Sequence, residues 1–372
     1  MEICAAMEMI VKSTFIRASC VIRSLIALLA IIATFAIFKI HFNYMLFHIN
    51  ARMLLYAYIL WNFLLSSSLF LMNTTDVIRL SLKHSNSCDY LIAARLGYPI
   101  RAFNIMSIYG VELTMLSFFI ERAIAVLFYS KYEKSTSIKL ASVLIFFQII
   151  GALTSTIGNN IANTDFNSRT VTITLSTANN IDQPPIIPHL HLIYGLVPLI
   201  GLHILLVINN IRLRRCEWNN VADITRSLQL GEKYQLQENR QSIRSLLPLF
   251  WVTFLVLNTN ALAAICMQKI DHKLSATHFI IYVDIFKNIT IVLPFCVCAL
   301  TLMKFTKLRE KFNFGQRQRQ EWLEKHPQAI SNRSGMEYFN YLQIQWTQSE
   351  VTTRRIKTRI SQTLHKALHL LT

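Results

Sequence analysis

Glu112, Glu121, Arg122, Asp284 and Lys287 stand inside stretches that are otherwise almost free of charge. A charged side chain in such a stretch is costly in lipid, so it ordinarily faces a bundle interior, a partner or a water-filled cavity. Asp284 and Lys287 are three residues apart, which puts them on one helix face where they can neutralise each other. Glu112 has no opposite charge near it in sequence; it can pair with Lys287 across a bundle, counter a cationic ligand group, or stay protonated. Glu121 and Arg122 adjoin at the end of their apolar run, where water begins, so that pair can be closed and buried or opened at modest cost. This is the chemistry of binding and switching. No Ser/Lys, paired-Asp or His-Glu-x-x-His constellation lies within an apolar run, and there is no zinc-type Cys/His spacing or glycine-rich phosphate loop. No enzyme, cofactor or metal is expected.

The elements that must hold these residues are membrane helices. Of the 372 residues, 53% are hydrophobic and 15% charged, against about 25% charged in soluble domains. The apolar residues are segregated into long runs, whereas a soluble helical core would show polar faces at helical spacing. A bilayer core of about 30 Å needs about 20 apolar residues in a helix. Seven spans are expected near Cys20–Phe38, Leu54–Asn73, Phe103–Leu127, Leu140–Gly158, Leu190–Asn209, Leu246–Met267 and Phe279–Met303. The fold class is therefore an all-α membrane protein, a seven-transmembrane helix bundle over residues 1–303 with a basic tail over 304–372.

The net charge of +17 does not point to nucleic acid, because the excess sits in a few connections and the tail. With the N-terminus outside, the external segments carry 10 Lys and Arg and the internal ones 26, the asymmetry expected of cytoplasmic loops. Lys12, Arg17 and Arg23 run against that assignment, since alone they would hold the N-terminal end in the cytosol. The first run is expected to be a retained helix, because no small-x-small cleavage site precedes Lys39.

The longest external connection, Asn159–His189, alternates polar and apolar residues from Thr170 to Ser176, a short-strand pattern. A small hairpin over the bundle mouth is expected there, either shaping ligand entry or capping helix ends. Inside, Ile211–Arg244 carries Arg212, Arg214 and Arg215 and then a polar stretch that can extend the sixth helix below the membrane. In the tail, Phe305, Leu308 and Phe312, and later Ile356, Ile360, Leu364 and Leu368, form apolar stripes flanked by basic residues, as in interfacial helices. The seven cysteines form no framework, and Cys88 is expected to be external and unpaired.

Three motifs occur in series. Ile120-Glu121-Arg122-Ala123-Ile124-Ala125 ends the third span, Tyr132-Glu133-Lys134 follows it, and Glu232-Lys233-Tyr234-Gln235-Leu236-Gln237-Glu238-Asn239 precedes the sixth. Together they resemble the nematode serpentine receptors of class epsilon (Sre), seven-helix chemoreceptors coupled to G proteins within the wider Sra group. The likeness covers the bundle and leaves the tail unexplained. It implies a chemosensory receptor in the plasma membrane of sensory cells, taking an unknown small ligand and a heterotrimeric G protein. Glu121, Arg122, Tyr132, Glu133, Tyr234, Glu238 and Asn239 would form the coupling latch, closed when the helices pack at their inner ends. The chain departs from the rhodopsin-like pattern: the sixth span has Pro248, Phe250 and Trp251 but no Cys-Trp-x-Pro, and the seventh lacks Asn-Pro-x-x-Tyr. The expected ligand site lies in the outer half of the bundle, among Tyr109, Glu112, His191, Tyr194, Trp251, Asp284 and Lys287. The alternative is a transporter or channel using the intramembrane charges, against which stands the lack of an inverted repeat or of matching broken helices.

Overall fold

The computed structural model describes residues 2–41, 48–128, 132, 138–158, 166–167, 169–170, 186–219, 226–270, 289–301 and 303. It is nearly all helical. A short helix α1 (Glu2–Lys12) is followed by α2 (Thr14–His41), α3 (Ile49–Ser81), α4 (Ala94–Leu127), α5 (Lys139–Thr156), α6 (Ile186–Asn219) and α7 (Arg226–Ile270). Six helices, α2 to α7, are long and apolar enough to cross a membrane, and the apolar helix α8 (Ile289–Thr301) is the seventh, shorter one. The expected bundle is therefore present, with the first span beginning six residues earlier, at Thr14 rather than Cys20.

Burial separates the helices by place. The most apolar windows of α3 and α4 are 61% and 56% buried, while those of α2, α5 and α6 are 28% buried, so α3 and α4 form the centre. The outer helices turn whole faces of Leu, Ile, Val and Phe outward, among them Leu25, Leu29 and Phe35 on α2 and Phe146 and Phe147 on α5. That is the reverse of a water-soluble bundle and what a hydrocarbon solvent permits.

In lipid the hydrophobic effect does not drive helices together, so close approach and interhelical hydrogen bonds must do so. Gly110 of α4 lies against the indole of Trp61 of α3, so closely that an added Cβ would fall 2.2 Å from the ring. Trp61 Nε1 then donates to Gln148 Oε1 of α5 at 3.4 Å, and Thr114 Oγ1 of α4 donates to the same oxygen at 3.0 Å. Asn104 donates to Ser68 Oγ at 2.9 Å, joining α4 to α3. Tyr58 and Thr253 link α3 to α7, and the hydroxyl of Thr34 meets Cys298 Sγ at 3.3 Å, which closes α2 onto α8.

A cap covers one end of α2 and α3. Met7 and Ile10 of α1 pack with Ile16 and Cys20 of α2, Leu80 of α3 and Tyr90. Tyr90 Oη donates to Leu82 O at 2.7 Å and accepts from His84 N at 3.1 Å, while Arg79 bonds Asp76 at 2.8 Å and the Tyr90 carbonyl. One expectation is corrected here. Cys88 is not unpaired: it forms a disulfide with Cys4, which ties α1 to the turn Ser87–Tyr90. Of the strand expected from Thr170, only the start is described: β2 (Arg169–Thr170) runs antiparallel to β1 (Ile92–Ala93), with Ile92 opposite Thr170. Residues 171–176 lie outside the described residues, as do the two tail stripes. Asn73, formally a sequon, is buried within α3 and spends its amide on the Leu69 carbonyl at 2.6 Å.

Replacing Gly110 with Ala is expected to destabilise the protein by about 1–3 kcal/mol, because the buried indole of Trp61 must shift. Thermal unfolding of the purified protein in detergent measures this. Cys4→Ser or Cys88→Ser removes a cross-link spanning 84 residues of sequence and is expected to cost about 2–5 kcal/mol. The same melting assay reads that loss, with and without reductant on the wild type.

Candidate functional site

The C-terminal end of α4 and the adjoining parts of α6 and α7 meet at Arg122. Its guanidinium is 1% exposed, and the Glu121 carboxylate beside it is fully buried. Nε and Nη2 of Arg122 both donate to Glu121, one to each carboxylate oxygen, in a two-pronged pair. The remaining nitrogen, Nη1, donates to Asn239 Oδ1 of α7 at 3.1 Å. Asn239 in turn donates from Nδ2 to the Ala125 carbonyl of α4 at 3.3 Å, so both ends of its amide are spent on α4. Glu238 adds a second negative charge acting on Arg122.

Tyr132, just past α4, completes the carboxylate by donating its hydroxyl to Glu121 Oε1. Burial, and then the adjacent Glu121 charge, push the Tyr132 phenol up, so it remains a protonated donor. Its ring lies 4.3 Å from that of His48, which caps α3, and its hydroxyl also meets Asn50. Asn50 accepts from Ala141 N of α5 at 3.4 Å. From the other side, α6 contributes Asn209, which donates to the Leu236 carbonyl of α7 at 2.6 Å, and Arg212, which donates to the Val126 carbonyl of α4 at 2.6 Å. Five spanning helices thus converge on one charged pair.

Of the residues expected to form this latch, Glu121, Arg122, Tyr132 and Asn239 come together. Glu238 is half-buried nearby, the side chain of Tyr234 is not described, and Glu133 lies outside the described residues. Asn50, Asn209, Arg212 and His48 were not among the expected residues. A signal existed for two of them: an amide in an apolar helix must find a partner, and Asn50 and Asn209 are buried amides of this kind.

The second cluster lies about two and a half turns toward the N-terminus of α4. Glu112 is 1% exposed, and both its carboxylate oxygens lie within 2.8–2.9 Å of His191 Nδ1, at the start of the α6 span. Tyr109, one turn earlier on α4, stacks on the His191 ring at 4.9 Å with 14° between planes. Glu112 therefore has a partner, and it is His191. Tyr194 is half-buried on the next turn of α6. Trp251 does not join this cluster: it is 42% exposed on the outer surface and packs edge-on against His203 and Phe254. Asp284 and Lys287 lie outside the described residues. Among the described residues no group of His, Cys, Asp and Glu is arranged to hold a metal.

A buried ion pair adds little net stability, but removing one partner leaves an uncompensated charge and costs about 3–5 kcal/mol. Glu121→Gln is therefore expected to lower the thermal midpoint far more than Tyr132→Phe, whose lost hydrogen bond is worth about 1–3 kcal/mol. Melting curves of the two variants in the same detergent decide it.

No curated protein matches the chain. A family model described as serpentine type 7TM GPCR receptor class ab chemoreceptor matches residues 1–347, which takes in every described helix and runs past Met303 into the tail. The match supports the serpentine resemblance and leaves the narrower class epsilon assignment unconfirmed. Six membrane-length helices with a seventh apolar one, and a buried Glu-Arg pair at the end of the third span, accord with that match. The chain belongs to the serpentine class ab family of seven-transmembrane G-protein-coupled chemoreceptors.

Proposed function

We propose that this protein is a chemosensory receptor whose outer-half site, Glu112, His191 and Tyr109 with Tyr194, receives a small ligand, and whose inner latch opens to a heterotrimeric G protein. The observation that carries this reading is the bond from Arg122 to Asn239, because it crosses from α4 to α7. If the inner half of α7 moves away from α4, that bond and the Asn239–Ala125 bond must break, exposing Arg122. A ligand can drive the change only by binding the open arrangement more tightly than the closed one. Pro198 inside α6 and Pro248 inside α7 each remove a backbone bond at a point where an inner half could swing. The outer cluster and the latch share α4, so a shift of that helix is felt at both.

The proposed orientation places the N-terminus outside and the C-terminus in the cytoplasm. A disulfide persists on the oxidising side of a membrane, which supports an external Cys4 and Cys88. The basic residues that argued otherwise are partly accounted for: Lys12 pairs with Glu8 at 2.6 Å, and Arg23 is buried, bonding the Ser19 carbonyl and Cys20 Sγ.

With a G-protein reporter in cells, Asn239→Ala is expected to raise ligand-independent signalling about five-fold, since it removes about 1 kcal/mol of closed-state bonding. Arg122→Ala is expected to abolish coupling at equal surface level. Unchanged signalling in both variants would overturn the latch. An epitope placed before α1 should be stained by antibody on intact cells and one after residue 372 only after permeabilisation; both ends on one side would overturn the orientation.

A further inference from the structure

His203 lies midway along the α6 span Leu190–Arg215, and its side chain is exposed on the outer surface. An imidazole turned toward lipid at that depth is out of place, since polar groups in a bilayer centre face a partner or a cavity. Its Nδ1 lies 2.9 Å from the Leu199 carbonyl. A carbonyl only accepts, so Nδ1 carries the proton, and in the neutral ring Nε2 is left as an acceptor.

Beside it stands Trp251 of α7, with ring centroids 5.8 Å apart and the planes at 79°. Tryptophan ordinarily gathers at the membrane–water interface, where its N–H finds a partner. Here it is 42% exposed beside a mid-membrane histidine, and no acceptor for its Nε1–H occurs among the described residues. Among the described residues, one patch therefore presents a donor and an acceptor without partners at the same depth. Exposed apolar residues surround them. Val197, Ile200, Ile204 and Val207 follow one another three or four apart along α6, and Leu255 lies one turn beyond Trp251 on α7.

We infer that this face joins two copies of the chain about a two-fold axis parallel to the membrane normal and passing beside the His203–Trp251 contact. Such an axis preserves depth, so Trp251 Nε1–H of each copy donates to His203 Nε2 of the other. The pairing is reciprocal, as an isologous interface requires. α6 of one copy then packs against α7 of the other, with the Val197–Val207 ridge as the apolar part of the contact. Lipid alone would satisfy neither polar group. The inference is independent of ligand binding and G-protein coupling.

The test uses the full chain, labelled in separate batches with donor and acceptor fluorophores and reconstituted into phosphatidylcholine vesicles. Energy transfer is followed as lipid dilutes the protein. The wild type is expected to associate, and His203→Phe or Trp251→Phe, each losing both reciprocal bonds, to associate roughly ten-fold more weakly. A mixture of the two variants should associate more tightly than either alone, because the mixed pair keeps one complete Trp–His bond. Both substitutions lie on the outer surface and replace ring with ring, and formation of the Cys4–Cys88 disulfide on a non-reducing gel checks folding. A wild type that stays monomeric at every dilution, variants that associate like the wild type, or a mixture no tighter than the single variants would each overturn the inference. Association only with a different protein would do the same.

Discussion

A guanidinium sealed from water at the C-terminal end of a membrane helix must have every donor directed at an acceptor, and Arg122 imposes that demand on its surroundings. Glu121 supplies the charge, Tyr132 completes the carboxylate, and Asn239 takes the remaining nitrogen. Because Asn239 belongs to α7 and Tyr132 touches residues of α3, meeting the demand brings separate helices to one point. The gain is definition of one arrangement rather than bulk stability, since a paired buried charge roughly breaks even against an apolar side chain. An arrangement held by such bonds has a second state available once water can reach the charges. That property suits a switch.

The same logic runs through the bundle in weaker form. Helices in lipid gain nothing from hiding apolar surface, so small residues and shared polar atoms decide which faces meet. Gly110 lets Trp61 lie flat on α4, and the Gln148 carbonyl oxygen gathers donors from α3 and α4. Gly201 of α6 similarly leaves room for the ring of Phe119, which an added Cβ would approach to 2.3 Å. The Gly110 and Gln148 contacts lie near the middle of α3 and α4, the two most enclosed helices.

Outside the bundle the rules change. The cap formed by α1, Tyr90 and the Cys4–Cys88 bond has a small apolar core of its own, of the kind water rather than lipid would drive together. The paired segments β1 and β2 bring the connections before α4 and after α5 into register at the same side. Arg95 of α4 adds a bond to Asn167 at 3.2 Å. Covalent and ladder bonds thus replace polar helix contacts where the solvent changes.

How much of this could be read from the chain follows from the range of each interaction. Span number, helical character and membrane residence are legible because they depend on apolar runs long enough to cross a bilayer, a property of consecutive residues. Glu121 and Arg122 were legible as a pair for the same reason: they are neighbours, and their depth follows from the run that contains them. Glu112 was legible as a buried charge, but not its partner, because His191 lies 79 residues away on another helix and imidazoles carry no charge pattern to flag them. Cys4 and Cys88 were seen as scattered thiols, since nothing in an 84-residue separation says that the intervening helices return the chain to its start. Trp251 was placed with the ligand residues, whereas its rotation about α7 turns it outward. The amino-acid sequence by itself determined how many helices enter the membrane and which charges they carry with them, because hydropathy is local. Only the tertiary structure decided which faces meet, because each pairing is set by helix rotation and by contacts between residues far apart in the chain.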